Sequence, residues 1–217
     1  MELKDRIKSI CDFHNVKLNN KNKEFLSYID TPLVFEHSTP GEIGEASENN
    51  KGETSGQREI FKNQDTVIWL DMELPIGKSP NTNSRYKRID LIGKYKDIDK
   101  YILCELKHTK KAGQPFDALL QLIAYYVALQ SNWEKLDPNN HHKESENFKP
   151  KMFKWKDVAK NVELRVRANK EFWLNWNKPT PKNKATKEII EFLKNNKLIV
   201  RLFSDDNPIF PSKEDAL

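Results

Sequence analysis

Asp90, Glu105 and Lys107 are the residues of this chain whose types and spacing carry the clearest chemistry. Arg88-Ile-Asp90 belongs to one apolar run and Glu105-Leu-Lys107 to the next, with His108, Lys110 and Lys111 immediately after. Two carboxylates held close together repel, and burying them costs free energy. A divalent cation between them removes that conflict. Mg²⁺ prefers near-octahedral oxygen donors and commonly takes one or two carboxylates, with water and phosphate completing the shell. Such an ion activates water and stabilises a leaving oxygen, and a neighbouring lysine orients the water or neutralises charge on phosphorus. These are the parts of a metal-dependent phosphodiesterase, with Mg²⁺ or Mn²⁺ as the expected cofactor. The alternative is a structural cross-strand ion pair on a solvated face; the apolar flanks Ile89, Leu91, Ile102, Leu103 and Leu106 tell against it.

The elements that must position these groups follow from periodicity and breakers. Residues 86–95 and 100–108 are β-rich runs joined by Lys96-Asp-Ile-Asp99, a four-residue hairpin connection. If Tyr95 pairs with Lys100, the antiparallel register sets Asp90 opposite Glu105, with Cβ atoms about 5 Å apart. Lys107 lies two residues beyond Glu105 and so shares its face. Upstream, residues 66–74 form a first strand, and Pro75, Gly77, Pro80 and Asn81 mark the following segment as a loop. Downstream, Gln114-Pro115 opens a helix running to about Gln130 and apolar nearly all round, hence buried against the sheet. Asp117, Gln121 and Tyr125 recur every four residues along it, a polar stripe expected to face the site.

The remaining segments frame this core. Residues 3–13 and 21–29 read as short amphipathic helices within an N-terminal helical region, 1–37. Residues 38–58, rich in turn formers and acids, read as a mobile loop leading into a brief helix at 57–62. After a polar linker at 137–146 come a strand at 162–166, an aromatic segment at 172–176, a Pro-rich loop at 178–181, a helix at 186–194 and a strand at 198–203. Lys149-Pro-Lys-Met-Phe-Lys-Trp-Lys156 interleaves cations with aromatics, which suits single-strand stacking. Lys154 and Lys156 are its candidate contacts, with Arg165, Arg167 and Lys170 extending it; a solvated basic face anchored by core aromatics is the competing reading. His141 and His142 are expected to face solvent, and Trp155, Trp173 and Trp176 to pack.

Asp90, followed after the hairpin by Glu105-Leu-Lys107, resembles the PD-(D/E)xK nuclease superfamily, and Gln121-Leu-Ile-Ala-Tyr125 is similar to the Q-x-x-x-Y element of its RecB-type and λ-exonuclease-type members. The likeness spans about residues 57–130. It implies that Asp90 and Glu105 bind the metal, that the Leu106 carbonyl completes the shell, and that Lys107 serves the water nucleophile. It also implies an acid on the helix before the first strand, for which Glu59 is the candidate and Glu53 and Glu73 are rivals. The implied fold is α/β: a mixed central β-sheet flanked by helices, a restriction-endonuclease-like core (αβββαβ) spanning 59–130, with additions at both ends (131–217 at the C-terminal side) in one nuclease-like domain. Ile89 stands where many members carry proline, and the cysteines of an iron–sulfur cluster are missing.

Composition bounds the reading. The 217 residues suit one domain with a real core. Net charge is +5 and the pI about 9.0, which favours a polyanionic partner. DNA is the expected substrate and RNA the alternative. Specific recognition calls for a homodimer or partner protein, because little chain remains for a separate reading domain. Two cysteines cannot build a disulfide framework or a four-thiolate cluster, and Cys104 reads as a reduced core thiol. No stretch is long and apolar enough for a membrane span, and the charged start Met1-Glu-Leu-Lys-Asp5 is unlike a secretory signal. A cytoplasmic location is therefore expected.

Overall fold

The computed structural model describes residues 2–35, 53–62, 66–79, 86–107, 114–136, 141–144 and 148–210. In chain order the elements are α1 (Leu3–Phe13), α2 (Asn20–Asp30), α3 (Glu53–Lys62), β1 (Val67–Gly77), β2 (Lys87–Tyr95), β3 (Tyr101–Lys107), α4 (Pro115–Leu136), α5 (Trp155–Lys160), β4 (Val162–Ala168), α6 (Pro181–Asn195), β5 (Val200–Ser204) and β6 (Asn207–Phe210). The six strands form one sheet in the order β1-β2-β3-β4-β5-β6. The β1–β2, β2–β3 and β5–β6 pairs are antiparallel, and β3–β4 and β4–β5 are parallel. The chain is thus α/β, with a mixed sheet between helices.

Alternation along the strands splits the core into two layers. Leu70, Ile92, Leu103, Leu164 and Leu202 join the larger cluster, with Ile7, Leu26, Leu119, Ile123 and Ile189 from α1, α2, α4 and α6. Trp69, Met72, Leu91, Ile102 and Leu106 form the smaller one with Phe61 of α3 and Phe148. Gly93 pairs with Trp69 across β1–β2 because a side chain there would collide with the indole: its Cβ would lie 2.8 Å from the ring.

Helix ends follow local capping chemistry. At α2, Asn19 and Asn22 form a reciprocal capping box, with the Asn22 N–H donating to Asn19 Oδ1 at 2.8 Å. At α6, Thr180 Oγ1 accepts from the Asn183 N–H, and Pro181 takes the first helical position.

Several expectations from sequence change here. β1 continues through Pro75 to Gly77 instead of ending at Leu74. Proline is tolerated because β1 is an edge strand, and the register shifts between Pro75 and Gly77. α3 begins at Glu53, inside the segment read as a loop, and α4 reaches Leu136. α5, β6 and the first turn of α6 were not expected from the sequence. The linker histidines are buried: His141 packs edge-on to Phe153, and His142 binds Asp71 through both its backbone N–H and its ring Nδ1. Trp155, Trp173 and Trp176 are buried, as packing residues should be.

Candidate active site

The β2–β3 ladder runs from Lys94↔Tyr101 to Leu91↔Cys104, and Tyr95 donates its N–H to the Lys100 carbonyl. This is the register predicted from the four-residue connection. Carried one step further, it sets Asp90 facing Glu105, where the regular ladder stops. There the Asp90 side chain replaces a backbone acceptor: Oδ2 takes the Leu106 N–H at 2.7 Å. A buried N–H needs an acceptor, and a carboxylate supplying it leaves the backbones free to diverge. Leu106 therefore enters the site through its N–H; its carbonyl as a metal ligand remains an expectation.

Glu105 alternates with Cys104 and Leu106 and so lies on the α4 side of the sheet. It is 1% exposed and forms an ion pair with Lys107, which is also buried. Across the site, Tyr125 is buried on α4 and its hydroxyl accepts a hydrogen bond from Gln121 Nε2 at 3.1 Å. Burial, chiefly, and then the negative charges of Glu105 and Asp90 hold the Tyr125 phenol well above the usual tyrosine range; the Gln121 hydrogen bond acts in the opposite direction. Tyr125 is accordingly a neutral hydroxyl at physiological pH, close enough to Glu105 and Asp90 to feel their charge.

Where an acid, Glu59, is expected on the preceding helix, an amide reaches Asp90 instead. Gln57, 1% exposed on α3, donates from Nε2 to Asp90 Oδ1 at 3.2 Å and also to Glu73 Oε1. One amide thus ties two carboxylates together. Its own Oε1 is buried with no hydrogen-bond partner among the described residues. Glu73 sits in β1 with φ 53°, a left-handed conformation that costs a non-glycine residue about 1–3 kcal/mol. Arg88 Nη1 donates to the Glu73 carbonyl at 3.2 Å and helps hold that conformation. Glu59 is exposed on α3 and borders a cleft beside Lys107, without a hydrogen bond to the carboxylates. Sequence reasoning missed Gln57, whose only local signal is a polar residue early in a short helix.

Other candidates fall elsewhere. Asp117 does not join Gln121 and Tyr125 at the site. Its Oδ1 accepts from Asn22 at 2.7 Å and from Lys182 at 3.3 Å, tying α2, α4 and α6. Arg165 is no free phosphate ligand: it is buried against Glu163 at 3.0 Å and Tyr95 at 2.7 Å, with its guanidinium over Phe203. Lys154 and Lys156 are exposed, but Asn161, which caps α5, meets Tyr101 at the end of β3 remote from Lys107. Lys156 stands over Trp133, two turns beyond Tyr125 on α4. The structure does not bring these two lysines to the carboxylates. His108, Lys110 and Lys111 lie outside the described residues.

The candidate donors are oxygens: the Asp90 and Glu105 carboxylates where the ladder ends, with Glu73 linked to Asp90 through Gln57. That chemistry fits a hard divalent cation using one or two carboxylates with water. Among the described residues, no three His, Cys, Asp or Glu side chains are gathered into a metal-holding group, so any ion here would rest on few protein ligands. Comparison with protein-family models, curated proteins and solved structures finds no match to this chain.

Proposed function

We propose that this protein is a metal-dependent nuclease of the PD-(D/E)xK type, with a restriction-endonuclease-like core, that hydrolyses phosphodiester bonds in DNA. The observation that carries the reading is the meeting of Asp90, Glu105 and Lys107 at the point where the β2–β3 ladder ends, with Gln57 hydrogen-bonded to Asp90 and the charges of both acids felt by Tyr125 of α4. Burying charged groups is costly even when they are paired, and such clusters within an apolar sheet often mark functional sites.

Asp90 and Glu105 would hold Mg²⁺ or Mn²⁺, with Glu73 as a further carboxylate at the rim. When bound, the cation supplies Lewis acidity toward the phosphate and lowers the pKa of water. The chain's own groups do the rest. Gln57 fixes the Asp90 carboxylate against Glu73, and the Leu106 N–H fixes its other oxygen. Lys107 leaves Glu105 to meet the phosphate or the attacking water, and Tyr125 with Gln121 offers a neutral hydrogen-bonding face. The net positive charge suits a nucleic acid partner, and RNA is the alternative substrate. Restriction, phage defence or repair would suit such an activity. No described helix is long and apolar enough to cross a membrane. A cytoplasmic location and a homodimer or partner protein belong to the same proposal.

The Lys107–Glu105 ion pair favours a second reading, in which the charges satisfy each other and the fold serves as a silent nucleic-acid-binding module or assembly protein. Cleavage of plasmid and single-stranded DNA with Mg²⁺ or Mn²⁺ separates the two. Metal-dependent cutting by the wild type, lost in both Asp90→Ala and Lys107→Ala, is the expected result. An intact, folded wild type that cuts neither DNA nor RNA would sink the nuclease reading.

A further inference from the structure

The parallel β3–β4 register pairs Leu106 with Arg167 and Lys107 with Ala168, so Arg167 shares the α3-side face of Leu106 while Lys107 leaves the opposite face one position on, and the two come together only at the strand ends. Both residues line one cleft of about 340 Å³ at the carboxyl ends of these strands, where α/β sheets commonly place ligands. Glu59, Leu106, Asn169 and Asp206 form other parts of its wall. The tight turn between β5 and β6 brings Asp206 over this opening. Asp205 adopts φ 53° there and donates its N–H to the Ala168 carbonyl at 2.9 Å.

Arg167 is held in a specific way. Its Nη1 lies 2.9 Å from Asp206 Oδ1; the arginine side chain is 16% exposed and the aspartate 71%. An ion pair with so exposed a partner contributes little net stability. It nevertheless sets the guanidinium at the cleft wall. A phosphodiester offers the same fork of anionic oxygens as a carboxylate and binds arginine with the same geometry.

We propose that this cleft is the track of the polynucleotide backbone, with Arg167 as ligand of a phosphodiester next to the reacting one and Asp206 as the intramolecular stand-in that it displaces. The proposal rests on the nuclease reading for the identity of the polyanion. Lys107 then serves the reacting phosphate while Arg167 fixes the register of the strand. Asp206 imposes a cost on every binding event, because its carboxylate must give way.

The test is fluorescence anisotropy of a short labelled single-stranded oligodeoxynucleotide in EDTA, across a salt series, with wild type, Arg167→Gln, Arg167→Lys and Asp206→Asn. Arg167→Gln should weaken binding about tenfold, the scale of one charge-assisted hydrogen bond, and lower the salt slope by about one. Arg167→Lys keeps the charge without the fork and should fall between. Asp206→Asn should tighten binding several-fold, about the effect of removing a weak surface competitor. This surface change leaves β4 intact, so it still decides the matter if Arg167→Gln misfolds. Wild-type affinity in Arg167→Gln, weaker binding in Asp206→Asn, or no binding by the wild type overturns the proposal. Cleavage measured in parallel keeps the two ideas apart. A wild type that cuts while Arg167→Gln binds normally removes the cleft assignment alone. A wild type that never cuts but needs Arg167 to bind removes the hydrolytic reading alone.

Discussion

Lys107→Met offers a sharp test of why these charges are buried. Glu105 is 1% exposed, and its ion-pair partner Lys107 is also buried. Removing one partner of a buried pair strips the other charge of that counterion, a change that typically costs about 3–5 kcal/mol. For a chain of this size each kcal/mol moves Tm by roughly 2–4 °C, so a fall on the order of 10 °C is expected in EDTA. The metal reading adds a second expectation. A cation that neutralises Glu105 and Asp90 takes over the role of the missing ammonium, and it binds more tightly once the ammonium no longer repels it. At a Mg²⁺ concentration 100-fold above Kd, binding restores about 2.7 kcal/mol. Mg²⁺ should therefore raise the Tm of Lys107→Met by more than that of the wild type, and the double variant Glu105→Gln/Lys107→Met should lose most of this response. The assay is thermal unfolding followed by circular dichroism, with EDTA or Mg²⁺ present. A Lys107→Met protein equally stable with and without Mg²⁺ would refute the cation site, and one as stable as wild type in EDTA would refute the buried-pair argument itself.

Two further outcomes test the packing. Gly93→Ala sets a methyl 2.8 Å from both the Trp69 ring and Val67 Cγ1, and this overpacking should cost about 1–3 kcal/mol by urea unfolding; an unchanged midpoint would mean that the indole moves freely. Burial pushes the Cys11 thiol up to about 11 and the Cys104 thiol up to about 12, from an ordinary value of 9.0. Well below pH 9.0 both thiols are protonated in folded and unfolded chains alike, so no pH-dependent stability arises from them there. Above it the unfolded chain loses protons that the folded one keeps, so stability should fall as pH rises from 9.0 toward 12. In the same vein, neither thiol should react with a disulfide reagent at pH 8 until denaturant is added, and stoichiometric labelling of the folded protein would contradict their burial.

The parts legible in the sequence were those set by local rules. Strand alternation and a short turn fixed how Asp90, Glu105 and Lys107 converge, and an all-round apolar pattern marked α4 as buried. Contacts between distant segments left no such signal. Gln57 looks like any polar residue of a short helix until α3 docks on β1, and the left-handed backbone at Glu73 has no glycine to mark it. Asp117 fits the spacing of the Gln121–Tyr125 stripe, yet Asn22 and Lys182 claim it from helices far away in sequence. His142 looked solvated because its linker is polar, and only the buried Asp71 on β1 explains its position. Pro75 read as a strand end because proline breaks interior strands, whereas an edge strand accommodates it. The Thr180-Pro181 cap of α6 was a local signal overshadowed by the prolines around it.

Strand order in this sheet equals chain order, and that has a consequence for how the protein is made. No strand has to insert between two that are already paired, so each new one can add to an open edge as synthesis proceeds. The first three strands pair through short-range contacts, the kind that form fastest. Asp90, Glu105 and Lys107 thus depend for their convergence only on strands made before α4. If the three strands pair in that order, their charges meet water until α4 docks, and the cost of desolvating them falls on that docking step.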